Sequence, residues 1–206
     1  MKKSPLFVLS FVLLLAISLH AQNIDSAGVD IAQEPAQKEN WADSVLASLT
    51  LEEQIAQLLM IRTYSNKTEA YYKSMEMLVD KYNLGGMCFF QGGPVAQAKL
   101  TNRYQEIAKT PLFIAMDAEW GLGMRLDSTF SFPFQMTLGS SSDDSLLYEM
   151  GTEIARQLKL LGVHINFAPV VDINNNPDNP VINSRSFGEN KIDVALDSWR
   201  ELSKRY

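Results

Sequence analysis

The sequence predicts an α/β fold made of parallel strand–helix units, and three observations support this. Three short apolar runs, at residues 86–90, 111–116 and 163–171, have the length of buried strands. The segments between them carry apolar residues at helical spacing. Glycine and proline separate the two kinds of segment. Since parallel strands need long crossover connections, we expect about three βα units in one sheet.

The first predicted helix spans residues 51–61. Thr50 is a suitable N-cap, and the acidic Glu52 and Glu53 lie in the first turn, where carboxylates favour the positive end of the helix dipole. Apolar residues at helical spacing continue to the end of this segment. A second helical pattern follows and runs towards Tyr82, just before the first predicted strand.

Two further helices separate the predicted strands. Pro94 suits the first turn of a helix that runs to about Ala108, because the missing N–H of proline has no partner there. Asp143 or Ser142 caps the next helix, which carries its apolar residues on one face. Gly162 ends that helix and leads into the third strand.

The first 40 residues are predicted to lie outside the folded domain. Two lysines precede an apolar run at residues 6–19, which is the layout of a secretory signal peptide over residues 1–21. We expect cleavage, no stable membrane span afterwards, and a periplasmic or extracellular location. Residues 22–40 are polar and predict a disordered linker, so the domain occupies residues 41–206.

Charge and composition limit the partners. The net charge is −6 and there is no basic run, so nucleic acid is excluded as an expected partner. Cys88 is the only cysteine, which rules out an internal disulfide, and its apolar surroundings predict a buried, inert thiol. His164 lies at the start of a strand and is predicted to be structural. The run after Asp172 imitates a calcium loop but lacks its glycine and closing glutamate.

Two architectures are compatible with this order of elements: a doubly wound open sheet and a (β/α)₈ barrel. Gly121 and Gly123 follow a strand, but the third glycine of a dinucleotide-binding turn is missing. The polar residues Asp117, Glu119 and Asp172 follow the carboxyl ends of apolar strands, where barrel enzymes place their sites. This favours the barrel, with no metal and no cofactor expected.

The three carboxylates have two interpretations. Asp117 and Glu119 are two residues apart, so they point to one side if the strand continues through them. With Asp172 at the end of the next strand, they suggest an acid and nucleophile pair for glycoside hydrolysis. Alternatively, one or two of them cap helices or brace loops.

Three motifs carry a resemblance to a known family. The first follows the second predicted strand, the second ends the third strand, and the third lies in the loop after it. The chain reads Phe113-Ile114-Ala115-Met116-Asp117-Ala118-Glu119-Trp120-Gly121-Leu122-Gly123-Met124-Arg125, then Asn166-Phe167-Ala168-Pro169-Val170-Val171-Asp172, then Asn179-Pro180-Val181-Ile182 and Arg185-Ser186-Phe187-Gly188. In this order and spacing, the motifs are similar to those of glycoside hydrolase family three, from about residue 49 onwards.

The resemblance assigns roles to the polar residues. It implies that Asp117 accepts hydrogen bonds from sugar hydroxyls and that Arg125 and Arg185 donate to substrate oxygens. It makes Glu119 a supporting residue that orients a neighbouring loop or Arg125. Asp172 becomes a second supporting residue that shapes the loop or the pocket floor. The interpretation as a catalytic pair is therefore replaced.

For Arg185, a salt bridge within its own loop to Glu189 is the alternative to substrate contact. The Asp-x-Glu form resembles the β-N-acetylglucosaminidase branch, which implies a retaining β-glycosidase acting on terminal GlcNAc-type residues. Trp120-Gly121-Leu122 stands where that branch commonly carries Gly-Gly-Arg after the glutamate. A β-glucosidase therefore stays an alternative, as does a non-catalytic sugar-binding module.

The family's nucleophile is an aspartate on a late strand, and its acid/base is a His–Asp pair in a loop. Neither pattern occurs in this sequence, so no catalytic residue is predicted here and both are expected beyond Tyr206. A full barrel needs roughly 250 residues. We therefore expect a truncated barrel, a fragment that is inactive alone.

Overall fold

The structure is a computed structural model that describes residues 40–141 and 143–202. The predicted signal peptide and all but the last residue of the predicted linker lie outside the described residues. The chain forms two compact units, Met1–Ser48 and Leu49–Tyr206. The described part of the first unit contains helix α1, Trp41–Ser48. Across the described ranges, every helix is too short or too polar to cross a membrane.

The second unit contains a parallel sheet of four strands in the order β1-β2-β3-β4. The strands are Met60–Thr63, Gly86–Phe89, Phe113–Met116 and Ile165–Asn166. Helices α2 to α7 are Leu51–Ala56, Glu69–Tyr82, Pro94–Ile107, Gln135–Gly139, Asp144–Leu160 and Lys191–Leu202. Because each strand pairs with the next one along the chain, this is the order of a (β/α)₈ barrel and not of a doubly wound sheet, where the order reverses.

The predicted helix 51–61 is wrong in its second half. Thr50 and Glu53 form a capping box, in which the Thr50 N–H donates to the Glu53 carboxylate at 2.8 Å. The helix ends at Ala56, however, and β1 begins at Met60. The apolar side chains that suggested a longer helix, Leu58 and Leu59, are 86% and 51% exposed. The sheet therefore has a strand before the first predicted one.

The other boundaries are close to those predicted. Pro94 begins α4, and Asp143 caps α6 by accepting from the Ser145 N–H at 3.0 Å. Gly162 has a φ of 69°, the left-handed conformation that ends a helix. The predicted strand 163–171 pairs only over Ile165–Asn166, and the chain then becomes irregular.

One face of the sheet is buried under the helices. Every second side chain along the strands points to this face and packs against α3, α4 and α6. The core contains Met87, Phe89, Ile114 and Met116 from the sheet and Val79, Leu100, Tyr104, Ile154 and Leu158 from the helices. Because side chains alternate, the residues between them project to the opposite face. That second face, the inner face of a barrel, carries Cys88, Ala115 and Asp117.

Candidate functional site

The loops at the carboxyl ends of β1, β2 and β3 are joined by backbone hydrogen bonds. The Ser65 N–H donates to the Gln91 carbonyl at 3.1 Å, and the Gly92 N–H donates to the Arg125 carbonyl at 3.1 Å. The Asp127 N–H in turn donates to the Gly92 carbonyl at 2.8 Å. A Cβ on Gly92 would lie 1.8 Å from the Ser65 Oγ, so only glycine allows this close approach. The loops form one rigid rim.

Asp117 directly follows β3 and forms an ion pair with Arg125. The Arg125 Nη2 lies 2.5 Å from the Asp117 Oδ2, and its Nε donates to the Asp117 carbonyl at 2.9 Å. The Phe90 ring centroid lies 4.4 Å from the Arg125 Cζ, which adds a cation–π contact. Within the described chain, the buried Asp117 Oδ1 has no hydrogen-bond partner. The pair thus fixes both side chains and leaves one acceptor unused.

Glu119 and Arg185 form a second ion pair. The Arg185 Nε lies 2.9 Å from the Glu119 Oε2, and its Nη2 lies 2.5 Å from Oε1. The Glu119 side chain is 1% exposed and that of Arg185 is 32% exposed. The Glu119 hydrogen bonds raise the pKa of Arg185. The suggested pairing of Arg185 with Glu189 is wrong, and Glu119 orients Arg185 instead of Arg125.

The chain after β3 is held on both sides, which explains how Glu119 stays buried. Asn166 on β4 accepts from the Ala118 N–H at 3.0 Å, and the Gln135 Nε2 donates to the Glu119 carbonyl at 2.7 Å. Neither Asn166 nor Gln135 was predicted to take part in the site. Asn166 lies within a quoted motif, whereas no sequence signal points to Gln135.

Asp172 lies apart from these pairs in contact with the Arg185 loop. Its backbone carbonyl accepts from the buried Ser186 Oγ at 2.6 Å, so the two loops are tied at this point. The Asp172 side chain is exposed. It lies near enough to contribute, behind Glu119 and Asp117, to the raised pKa of Arg185. Its place is compatible with the predicted supporting role.

Two residues that were predicted to be structural can also be located. Cys88 is buried on the inner face, and burial, together with the nearby Asp117, raises the pKa of its thiol. His164 lies at the opposite end of the sheet, where its Nδ1 accepts from the Ile114 N–H at 3.0 Å. Over residues 40–141 and 143–202, no group of three His, Cys, Asp or Glu side chains could hold a metal ion.

The arrangement is suited to binding a hydroxyl-rich ligand. The half-buried Asp117 carboxylate and the buried Glu119 carboxylate are each held in an ion pair by a guanidinium group. Arg185 has five N–H donors and uses one on Nε, one on Nη2 and one on Nη1, the last to the Val181 carbonyl at 3.0 Å. The two remaining donors and the Asp117 Oδ1 can pair with hydroxyl groups, which both donate and accept.

Comparison with known proteins identifies the family. The family model described as "Glycosyl hydrolase family 3 N terminal domain" matches residues 50–196. The chain belongs to glycosyl hydrolase family 3. That family's N-terminal domain is a TIM-barrel-like α/β fold, which agrees with the parallel strand order described above.

Three relatives show the range of similarity within glycosyl hydrolase family 3. The chain is 38% identical over 131 residues to "Beta-hexosaminidase A" of Pseudoalteromonas piscicida, covering 57% of this chain and 22% of that protein. It is 27% identical over 155 residues to "Beta-N-acetylglucosaminidase/beta-glucosidase" of Cellulomonas fimi, covering 75% and 27%. The solved family 3 β-N-acetylglucosaminidase of Paenibacillus sp. str. FPU-7 has a TM-score of 0.66 and 34% identity, covering 75% of this chain and 30% of that chain. The chain thus spans less than a third of each relative's length.

Proposed function

We propose that the full-length protein is a retaining β-glycosidase that removes terminal β-N-acetylglucosaminyl residues, and that this chain supplies part of its substrate pocket. The observation that carries the proposal is the presence of two partly buried ion pairs, Asp117–Arg125 and Glu119–Arg185, at one edge of the sheet. Similarity to a protein named beta-hexosaminidase and to a solved β-N-acetylglucosaminidase supports the choice of sugar.

The residues of this chain bind and orient the sugar. The Asp117 Oδ1 accepts a hydrogen bond from a sugar hydroxyl, and the free N–H groups of Arg185 donate to sugar oxygens. Charge-assisted bonds of this kind fix orientation as well as adding affinity. A retaining double displacement needs a nucleophile and an acid/base. We assign these roles to an aspartate on a late strand and to a His–Asp pair in a loop of the full-length barrel. Neither group is a metal or a cofactor.

Two alternatives have specific support. Trp120 stands where the acetylglucosaminidase branch carries glycine, and its ring packs on Phe134 with centroids 4.7 Å apart, so the sugar preference can differ. The relative from Cellulomonas fimi is named for both acetylglucosaminidase and β-glucosidase activity. A non-catalytic sugar-binding module is the other alternative, because the Asp117 and Glu119 carboxylates are both held in ion pairs.

We also propose that the protein is exported to the periplasm or the extracellular space. The support is the sequence pattern of residues 1–21, with two lysines ahead of an apolar run. Fractionation of cells that express the full-length protein, followed by N-terminal sequencing, tests this. We expect the mature protein outside the cytoplasm with a new N-terminus near residue 22.

The activity is tested with chromogenic substrates. The full-length protein should release nitrophenol from nitrophenyl β-N-acetylglucosaminide faster than from nitrophenyl β-glucoside. Faster release from the glucoside would support the β-glucosidase alternative. Binding of N-acetylglucosamine without release from either substrate would support the sugar-binding module.

A further inference from the structure

Arg62 lies on the inner face of the sheet, in the middle of strand β1. The strand register places it level with Cys88 on β2 and Ala115 on β3. The opposite face of these strands is the one that packs on the helices. The inside of a TIM-type barrel is ordinarily filled by bulky branched apolar side chains. A long cation beside two small side chains is therefore unusual here.

The contacts of Arg62 are aromatic ring faces. Its Cζ lies 5.5 Å from the ring centroid of Tyr64 and 5.8 Å from that of Phe90. Within the described chain, the Arg62 side chain forms neither a hydrogen bond nor an ion pair. Arg62 is exposed in the described chain, so its guanidinium is open to a ligand. The ring faces attract the cation but offer none of the paired oxygen acceptors that a guanidinium binds best.

A second cation lies on the same ring. The Lys67 Nζ is 4.7 Å from the Tyr64 ring centroid, and among the described residues it has no carboxylate partner. The Lys67 backbone N–H donates to the Tyr72 hydroxyl at 2.8 Å, which anchors the loop that carries it. Ser65 joins this loop to the neighbouring one, as described above. The two cations are thus held on an ordered support.

This cationic group adjoins the sugar-binding pair. The Phe90 ring contacts both Arg62 and Arg125, and Arg125 is paired with Asp117. Arg62 begins two strands away from Asp117, about 10 Å across the sheet, and its side chain reaches towards the strand between them. Three cations, Arg62, Lys67 and Arg125, thus lie on the Tyr64 and Phe90 rings, and of these only Arg125 is paired with a carboxylate. This group carries a positive excess beside the place proposed for the sugar.

We propose that Arg62 and Lys67 form a subsite for an anionic oxygen group, a sulfate or a carboxylate, carried by the saccharide that binds at Asp117. The planar Arg62 guanidinium suits paired anionic oxygens, and Lys67 adds a second positive charge. The inference rests on the proposed function, because it needs a sugar at Asp117. It adds a class of substrate, the acidic saccharides.

Calorimetric titration of the full-length protein tests the subsite with three monosaccharides: N-acetylglucosamine and its 3-sulfate and 6-sulfate. None of them has a glycosidic bond to hydrolyse. One sulfated sugar should bind about tenfold more tightly than the neutral one, and the preference should shrink as salt is added. Arg62→Gln should remove the preference and leave affinity for the neutral sugar unchanged. Lys99→Gln, which removes an exposed charge from α4, should preserve it.

The outcomes separate the two levels of the proposal. Binding of the neutral sugar with no preference for either sulfate overturns the subsite alone, as does a preference that survives Arg62→Gln. If the wild type shows no preference for a sulfated sugar and Arg62→Gln lowers the melting temperature, then Arg62 pairs with a carboxylate of the same protein. If that variant does not fold, the wild-type preference and its salt dependence decide the question. Failure of all three sugars to bind overturns the proposed function.

Discussion

The Glu119 carboxylate holds the Arg185 guanidinium side-on, with Nε 2.9 Å from Oε2 and Nη2 2.5 Å from Oε1. This geometry occupies one edge of the guanidinium. Together with the Nη1 hydrogen bond to the Val181 carbonyl, it leaves one free N–H on each terminal nitrogen. Because Glu119 is buried behind Arg185, the free donors have a fixed direction. Glu119 thus acts on the ligand through Arg185.

Glu119→Gln should weaken this ion pair, because the amide NH2 group would face an N–H donor of Arg185 where a carboxylate oxygen now accepts. We expect the free energy of unfolding of the full-length protein to fall by about 2 kcal/mol, less than for a fully buried pair, since Arg185 keeps contact with water. Urea denaturation measures this change. Glu153→Gln is the control, because its pair with Arg156 is exposed and its loss should leave the unfolding midpoint unchanged. Equal effects of the two substitutions would contradict the role of Glu119.

Arg185→Ala should lower kcat/KM for nitrophenyl β-N-acetylglucosaminide. The decrease should correspond to a loss of about 1.5 to 3 kcal/mol of transition-state stabilisation, which is the value of a charge-assisted hydrogen bond. Arg185→Lys should recover little of it, since an ammonium group cannot form the side-on pair with Glu119 and also present two fixed donors. Steady-state kinetics on both variants checks this. Unchanged kinetics in Arg185→Ala would make the residue purely structural.

Gly92→Ala should destabilise the rim, because the added Cβ would overlap the Ser65 Oγ. We expect a clear drop in melting temperature and a loss of activity, since the loops after β1, β2 and β3 are joined at this residue. Gly93→Ser is the matched control: a Cβ at Gly93 meets no atom within 4 Å, and serine is a good N-cap for α4. Equal melting temperatures for Gly92→Ala and Gly93→Ser would contradict the role of Gly92.

Cys88 should report the charge of Asp117. Burial and the Asp117 carboxylate both raise the pKa of the Cys88 thiol, so little thiolate is present at pH 8. Asp117→Asn removes the negative charge and should lower this pKa, which speeds alkylation by iodoacetamide. Asp127→Asn, on the exposed part of the same loop, should leave the rate unchanged. A slower or unaltered reaction in Asp117→Asn would show that the two groups do not interact.

Much of the fold could be predicted from local signals. The strands Gly86–Phe89 and Phe113–Met116 are short apolar runs bounded by glycine or proline, and Asp143 is a strong N-cap. Strand β1 could not be predicted, because Leu58 and Leu59 extend the helical spacing of α2. Its conformation is fixed by pairing with β2, a contact between distant parts of the chain. Tertiary pairing here overrides the local pattern.

The site was predicted in part. Motifs identified Asp117, Arg125 and Arg185, and the spacing after β3 placed Asp117 at the carboxyl edge of the sheet. The partner of Arg185 could not be predicted, since Glu119 lies 66 residues away and reaches it only because α6 and β4 return the chain to β3. Arg62 carried no sequence signal, because it directly follows the predicted helix 51–61 and its strand was not predicted.

The central claim is that the Asp117 side of this chain binds a sugar, and equilibrium titration with N-acetylglucosamine tests it most directly. Wild-type protein should bind the sugar, and Asp117→Ala should abolish binding because it removes the free acceptor and releases Arg125. Asp127→Asn should bind as the wild type does. Undiminished binding by Asp117→Ala, with a circular dichroism spectrum like that of the wild type, would contradict the account.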